Sequence, residues 1–192
     1  MFGECPACLQ GLYVAVFVVA GGVCIAGTIG TRTFAHPDIR RGLGGVLGLN
    51  GVWSLLTAAQ VAVPGSGAQR LIHLGGLIVG ISTVVAWLAF ASAYAGREYH
   101  RRRTLRVASV VLLAAVIGIK LTNPIHGAYF TTRQATEPFV YLVFEYGALH
   151  WFVTGFAYTA SGVGFLWLFD SFERSDSRPR RLYGLVAITA LQ

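Results

Sequence analysis

The chain has 192 residues, 55% of them hydrophobic and only 12% charged, with a mean hydropathy of +0.62. A soluble domain carries about 25% charged residues, so a water-soluble globular fold is excluded. The net charge of +7 and pI of 9.8 would suit a nucleic-acid partner. That class is excluded too, because the arginines sit in short segments between apolar runs, which is the signature of membrane topology.

The expected fold is all-α, a polytopic transmembrane helical bundle embedded in the cell membrane. In chain order, helices are predicted over 11–31, 43–63, 71–95, 105–123 and 147–169. Each is about the length needed to cross a bilayer core of ~30 Å. A sixth helix is expected to begin at Arg181 and to be cut by the end of the chain at Gln192. Its dozen residues would span only about 18 Å. The run 11–31 has no cleavage site after it and reads as an anchor rather than a signal peptide.

Orientation follows from the arginines. Twelve of fourteen lie after helices one, three and five, and only Arg70 and Arg133 lie in the opposite loops. Because basic residues are retained in the cytoplasm, this distribution predicts a multi-pass protein with its N-terminus outside. The pairs Gly44/Gly48 and Gly76/Gly80 stand one turn apart in helices two and three. Small residues so spaced allow close helix packing in lipid, and a packing role is the simpler reading.

The segment 128–146 is rich in aromatic and β-branched residues, which favour strands, and is broken at Glu137-Pro138. Two short strands on the outer surface are predicted, forming a β-hairpin, with Gly147 at the entry to helix five. The competing reading is one long, tilted helix from Phe139 to Phe169.

Between helix four and this segment stands LTNPIHGAYF, 121–130. Pro124 disfavours a helical Asn123 and so ends helix four, and the Asn123 side chain is suited to satisfy a freed backbone group. Tyr129 and Phe130 are expected at headgroup depth. His126 has no structural explanation of this kind. With the N-terminus outside, His73, His126 and His150 all fall near the outer ends of their helices, and Gln60, Lys120, Glu145 and Trp151 lie at similar depth. Ionisable residues near or within spans usually face the bundle interior or a cavity. The predicted site is therefore a small outer pocket for a small-molecule ligand, drawn from Asn123, His126, His150, His73, Glu145 and Trp151. The simpler reading is that each histidine only caps a helix.

Other chemistries are weaker. Cys5-x-x-Cys8 is a single pair and indicates no particular metal. No metal and no cofactor is expected. Lys120, the lone lysine, would suit a retinal Schiff base in principle. In the last turn of helix four, however, it is expected to snorkel to the interface or to pair with Glu145 or Glu137. No phosphate-cradling glycine loop is present. The arginine cluster after helix three needs no more than anionic lipid as its partner.

The phrase Thr122-Asn123-Pro124-Ile125-His126, followed by Tyr129-Phe130, resembles the hallmark of the N-terminal seven-transmembrane region of bacterial and archaeal sensor histidine kinases. Tyr94-Ala95-Gly96-Arg97 is similar to that family's turn at the end of helix three, and Tyr146-Gly147 to its entry into helix five. The resemblance spans the whole chain. It implies a single sensor-type domain over 1–192, incomplete at its C-terminus and without catalytic activity of its own. Its expected function is sensory input, in which an unknown external ligand is bound and the signal passes to cytoplasmic PAS and kinase modules. A homodimer is a further expected partner. The alternative, a small transporter or channel subunit, would favour polar groups near the midplane and interrupted helices. Asn50 is the main polar residue at that depth.

Overall fold

The computed structural model describes residues 6–137 and 141–173, so the sixth helix expected at 181–192 lies outside the described residues. Among the described residues, five helices are long and apolar enough to cross a membrane. They are α1 (Pro6–Gly30), α2 (Pro37–Ala62), α3 (Ser66–Tyr94), α4 (Arg103–Leu121) and α6 (Ala148–Glu173), with a four-residue turn of helix, α5 (Asn123–His126), between the last two. The hairpin is present, as β1 (Phe130–Ala135) and β2 (Tyr141–Tyr146), antiparallel and in register from Phe130–Tyr146 to Ala135–Tyr141. The long-helix alternative is thereby overturned.

The element ends follow local chemistry. Pro37 opens α2, where its missing N–H is one that no helix could use. The helix therefore starts one and a half turns before the predicted Leu43. The Tyr94-Ala95-Gly96-Arg97 turn closes α3 as a Schellman cap. Arg97 N–H donates to Ser92 O at 2.8 Å and Gly96 N–H to Ala93 O at 3.3 Å, with Gly96 at φ 67°. That positive φ is why the position favours glycine. Pro124 does interrupt α4, but the chain resumes helix at once. Asn123 is the first residue of α5 rather than the non-helical residue expected before a proline.

The packing centres on α3. Its neighbours are α2, α4 and α6, whereas α1 leans mainly on α2. Two clusters fill the interior. One, toward the arginine-rich end, joins Leu43, Leu47, Trp87, Phe90 and Leu168. The other, toward the hairpin end, joins Ile81, Val116, Tyr129, Phe130 and Val153. Large apolar side chains on the outside, such as Leu71, Phe152 and Leu166, are exposed and suit a lipid surround.

Glycines do bring the helices together, but not the predicted pairs. A Cβ on Gly42 would lie 2.7 Å from the Phe90 Cα, so α2 and α3 touch backbone to backbone there. Gly21 and Gly51 form the matching contact between α1 and α2, a Cβ on either falling 3.1 Å from the other's carbonyl oxygen. Gly48 and Gly76 have ordinary contact distances of 3.7 Å. Around Gly80 nothing lies within 4 Å. Which phase of a helix meets its neighbour depends on rotation about the axis, and the spacing of small residues does not fix that.

Ion pairs tie the arginine-rich end. Asp38 of α2 accepts from Arg101 at 2.6 Å and faces His100 Nε2 at 3.3 Å. Arg97 donates to Asp170 of α6 at 2.7 Å.

Candidate functional site

The motif around Asn123 is the joint between α4 and the hairpin. Asn123 is buried. Its Oδ1 accepts from the N–H groups of Tyr129 (2.9 Å) and Phe130 (3.2 Å), while its Nδ2 donates to Phe130 O at 2.9 Å. One side chain thus satisfies three backbone groups where the chain reverses, and the reversal turns Tyr129 and Phe130 inward. Both are buried, with exposures of 1% and 4%, so they pack against protein at this end of the bundle.

His126 has a local role. It is exposed. Its Nδ1 accepts from Ala128 N–H at 3.0 Å, which leaves the proton on Nε2. That nitrogen faces Ile119 O and Thr122 Oγ1, both at 3.3 Å. Thr122 itself donates to Gly118 O at 2.9 Å. The imidazole therefore caps the end of α4, where unpaired carbonyls need donors, and the structure does not bring it to the other histidines. Glu145 is likewise outside the group, exposed and paired with Arg133 at 3.3 Å. Both positions matched the others in depth but not in rotation about the helix or strand.

His73 and His150 are brought together. His73 of α3 lies with Nδ1 3.3 Å from Gln60 Oε1 of α2. Its ring stacks on Phe144 with centroids 3.6 Å apart, and Phe130 meets it edge-on. His150, in the first turn of α6, stacks on Tyr146 at 3.8 Å and meets Tyr129 and Trp151 edge-on. Tyr146 also lies 6.1 Å from the His73 ring, so one tyrosine of β2 bridges the two histidines. Trp151 is mostly exposed, touching the cluster with its ring edge. His73 Nε2 and His150 Nδ1 are buried and have no hydrogen-bond partner among the described residues. Orphaned polar atoms of this kind are uncommon in native folds and mark places where a partner belongs.

Beneath this cluster lies a cavity of about 670 Å³ that runs between α2, α3 and α6. That is within the range of small-molecule sites, roughly 300–1,000 Å³. Its wall is mostly apolar, with Asn50, Thr83 and Thr154 among the few polar groups, and His150, Tyr129 and Lys120 stand at its hairpin end.

Lys120 does not snorkel and does not pair with Glu145 or Glu137. It is 2% exposed and donates to Leu77 O of α3 at 2.5 Å, with Nζ 5.4 Å above the Tyr129 ring. The reason is that α3 packs against this turn of α4 and offers a backbone carbonyl closer than the interface.

Of the predicted cysteines, Cys8 is exposed and Cys5 lies outside the described residues. Sequence reasoning missed the burial of Lys120 and Tyr129. It also missed the part played by Gln69, which is buried, accepts from Leu142 N–H at 3.2 Å and donates to Val63 O at 3.1 Å. No sequence signal marks Gln69 as the anchor of β2.

The chain matches the family described as the N-terminal 7TM region of histidine kinase, over residues 12–192. It belongs to that family. No curated protein and no solved structure matches it. The protein is therefore the multi-pass membrane region of a histidine kinase, in the non-catalytic part that serves as its sensory membrane input. In this 7TM region the Thr122–His126 motif builds the joint described above. Tyr94, Gly96 and Arg97 form the α3 cap, from which Arg97 reaches α6. Neither motif by itself forms a ligand pocket.

Proposed function

We propose that this region binds a small molecule at its hairpin end, which faces outside, and relays the event along α6 to cytoplasmic PAS and kinase modules. The observation that carries the reading is the cavity with His150, Tyr129 and Lys120 at its hairpin end, and beside it the pair His73 and His150, each with a buried ring nitrogen lacking a partner among the described residues. Unpartnered ring nitrogens beside a cavity of ligand size are groups of the kind a polar ligand engages. The relay is a matter of position. His150 lies in the first turn of α6 and Asp170 in its last, where Asp170 holds Arg97. A ligand that binds one arrangement of α6 against α3 better than another shifts their balance by its difference in affinity, and sliding of packed helices is a known way to carry such a shift.

The test is autophosphorylation of the region joined to its kinase module and reconstituted in nanodiscs. His73→Ala and His150→Ala should each change the level or the ligand response of the kinase, whereas His126→Ala should change it little. Unaltered output from the His73→Ala, His150→Ala double variant would refute the assignment. The same particles report whether the region works as a homodimer, through their mass.

A further inference from the structure

The cavity beneath the histidines contains an amine that no carboxylate among the described residues neutralises. Lys120 is nine-tenths buried at its hairpin end, and its one hydrogen bond is to the carbonyl of Leu77. An ammonium has three donors, so two are unused. Among the described residues no carboxylate lies within ion-pair distance of Nζ. The neighbouring phenols do not supply a negative charge either. Burial, with a contribution from Tyr146, pushes Tyr129 up to about 12, and burial raises Tyr146 as well. Both remain neutral donors. A buried basic group in a membrane span is costly unless it is paired, and here the space beside it is unfilled. His150 Nδ1 is a second buried group at the same wall without a partner.

The rest of the cavity defines the other half of the ligand. Its lining extends along α3 from Gly76 to Trp87 and along α6 from His150 to Phe165. At 1.5 Å per residue those stretches are about 16 and 22 Å, comparable to one leaflet of a ~30 Å hydrocarbon core. The ionisable groups Lys120, Tyr129 and His150 stand at the hairpin end, and Trp87, Ile81, Val153 and Phe165 line much of the remainder, with Asn50, Thr83 and Thr154 among them.

We infer that the cavity takes a single-tailed amphiphile with one carboxylate, of the fatty-acid class, its head on Lys120 and its tail between α3 and α6. The inference rests on the sensory reading above and names the ligand chemistry of that site. One amine and no arginine match a monoanion better than a phosphate ester, which arginine forks recognise. An acid that enters as its carboxylate pairs with the ammonium already present, so the loaded site carries no net charge.

The experiment uses the chain in phosphatidylcholine nanodiscs and a palmitate bearing a diazirine in its tail, with mass spectrometry to locate the adduct. Labelling is expected on α3 and α6 peptides containing Ile81 and Ala157, with at least tenfold loss in the presence of excess palmitate. Lys120→Met should lower labelling at least tenfold, and the matching alcohol probe should label at least tenfold less than the acid. Gly80→Leu supplies an independent arm. A Cβ there meets nothing within 4 Å, so the variant keeps the fold while filling the cavity, and it too should abolish labelling. Equal labelling by acid and alcohol, or labelling that survives in folded Lys120→Met or Gly80→Leu protein, would overturn the inference. So would full competition by phosphatidylglycerol. Labelling is read without any kinase, so its failure is distinct from a failure of signalling.

Discussion

Replacing Asn123 by alanine separates the structural part of the LTNPIHGAYF motif from any sensory part. The substitution removes two accepted bonds and one donated bond at once and leaves the Tyr129 N–H, the Phe130 N–H and the Phe130 carbonyl without that partner. A hydrogen bond contributes about 1 kcal/mol net, and a buried group left unsatisfied costs about 1–3 kcal/mol. With water entering the vacated space, the loss is about 3 kcal/mol; with the space dry, it approaches about 6 kcal/mol. Water has a short route, because the preceding Thr122 and the following Pro124 are exposed, so the lower figure is the expected one.

The assay is unfolding in mixed micelles by titration with a denaturing detergent, followed by tryptophan fluorescence and far-ultraviolet circular dichroism. His126→Ala provides the internal comparison. Its bonds are exposed and local, to residues no more than seven positions away, so its cost should stay below about 1 kcal/mol. Tyr129 and Phe130 should also loosen in Asn123→Ala, visible as faster amide exchange in β1 than in α3. If Asn123→Ala unfolds within about 1 kcal/mol of the unaltered protein, or if His126→Ala costs as much, the motif does not work as the joint described here.

Gly42→Val should destabilise by at least about 2 kcal/mol, since its side chain would meet the Phe90 backbone, and backbone cannot yield as a side chain does. By contrast, Gly80→Ala should be neutral or stabilising by up to about 1 kcal/mol, because the position is helical and open; unfolding titrations of the two variants check both. Arg97→Met removes a partly exposed pair with Asp170 and should change stability little, yet it should alter basal kinase output; unchanged output would remove the α6 relay. In a background free of Cys5, Cys8 and Cys24, a cysteine at Ser66 should react with an impermeant maleimide added outside cells, and one at Arg103 should not. Reversed labelling would invert the proposed orientation.

The division of the chain into elements was legible because it depends on one-dimensional properties. A stretch without charge such as 11–31 has few alternatives to a membrane helix, and Thr131, Thr132, Tyr141 and Val143 favour strands whatever surrounds them. Caps are equally local: Gly96 closes α3 through bonds to residues three and five positions back. The site was legible only in part. Topology correctly put His73 and His150 at one end, but depth is one coordinate of two. His126 shares their depth and points elsewhere, because an imidazole four residues after Thr122 reaches the free carbonyls of its own helix first.

Lys120 shows the same limit in energetic terms. Snorkelling is favoured when the alternative is hydrocarbon, and from the last turn of a span the interface is near. The balance changes once a neighbouring helix presents a backbone carbonyl beside a cavity. A Lys120 drawn from α4 to Leu77 of α3 links two helices that otherwise touch over a short length. That link also makes the amine a point where occupancy of the cavity and the spacing of α3 and α4 are coupled. A bound carboxylate takes the two unused donors and, as the stronger acceptor, draws Nζ away from the Leu77 carbonyl. Loading the cavity should therefore lengthen or break the Lys120–Leu77 bond and free α4 from α3 at the hairpin end. Spin labels at Val110 and Leu71, both exposed, would report that as a change in their distance on adding palmitate. No change in a protein that demonstrably binds palmitate would confine the ligand's effect to α6.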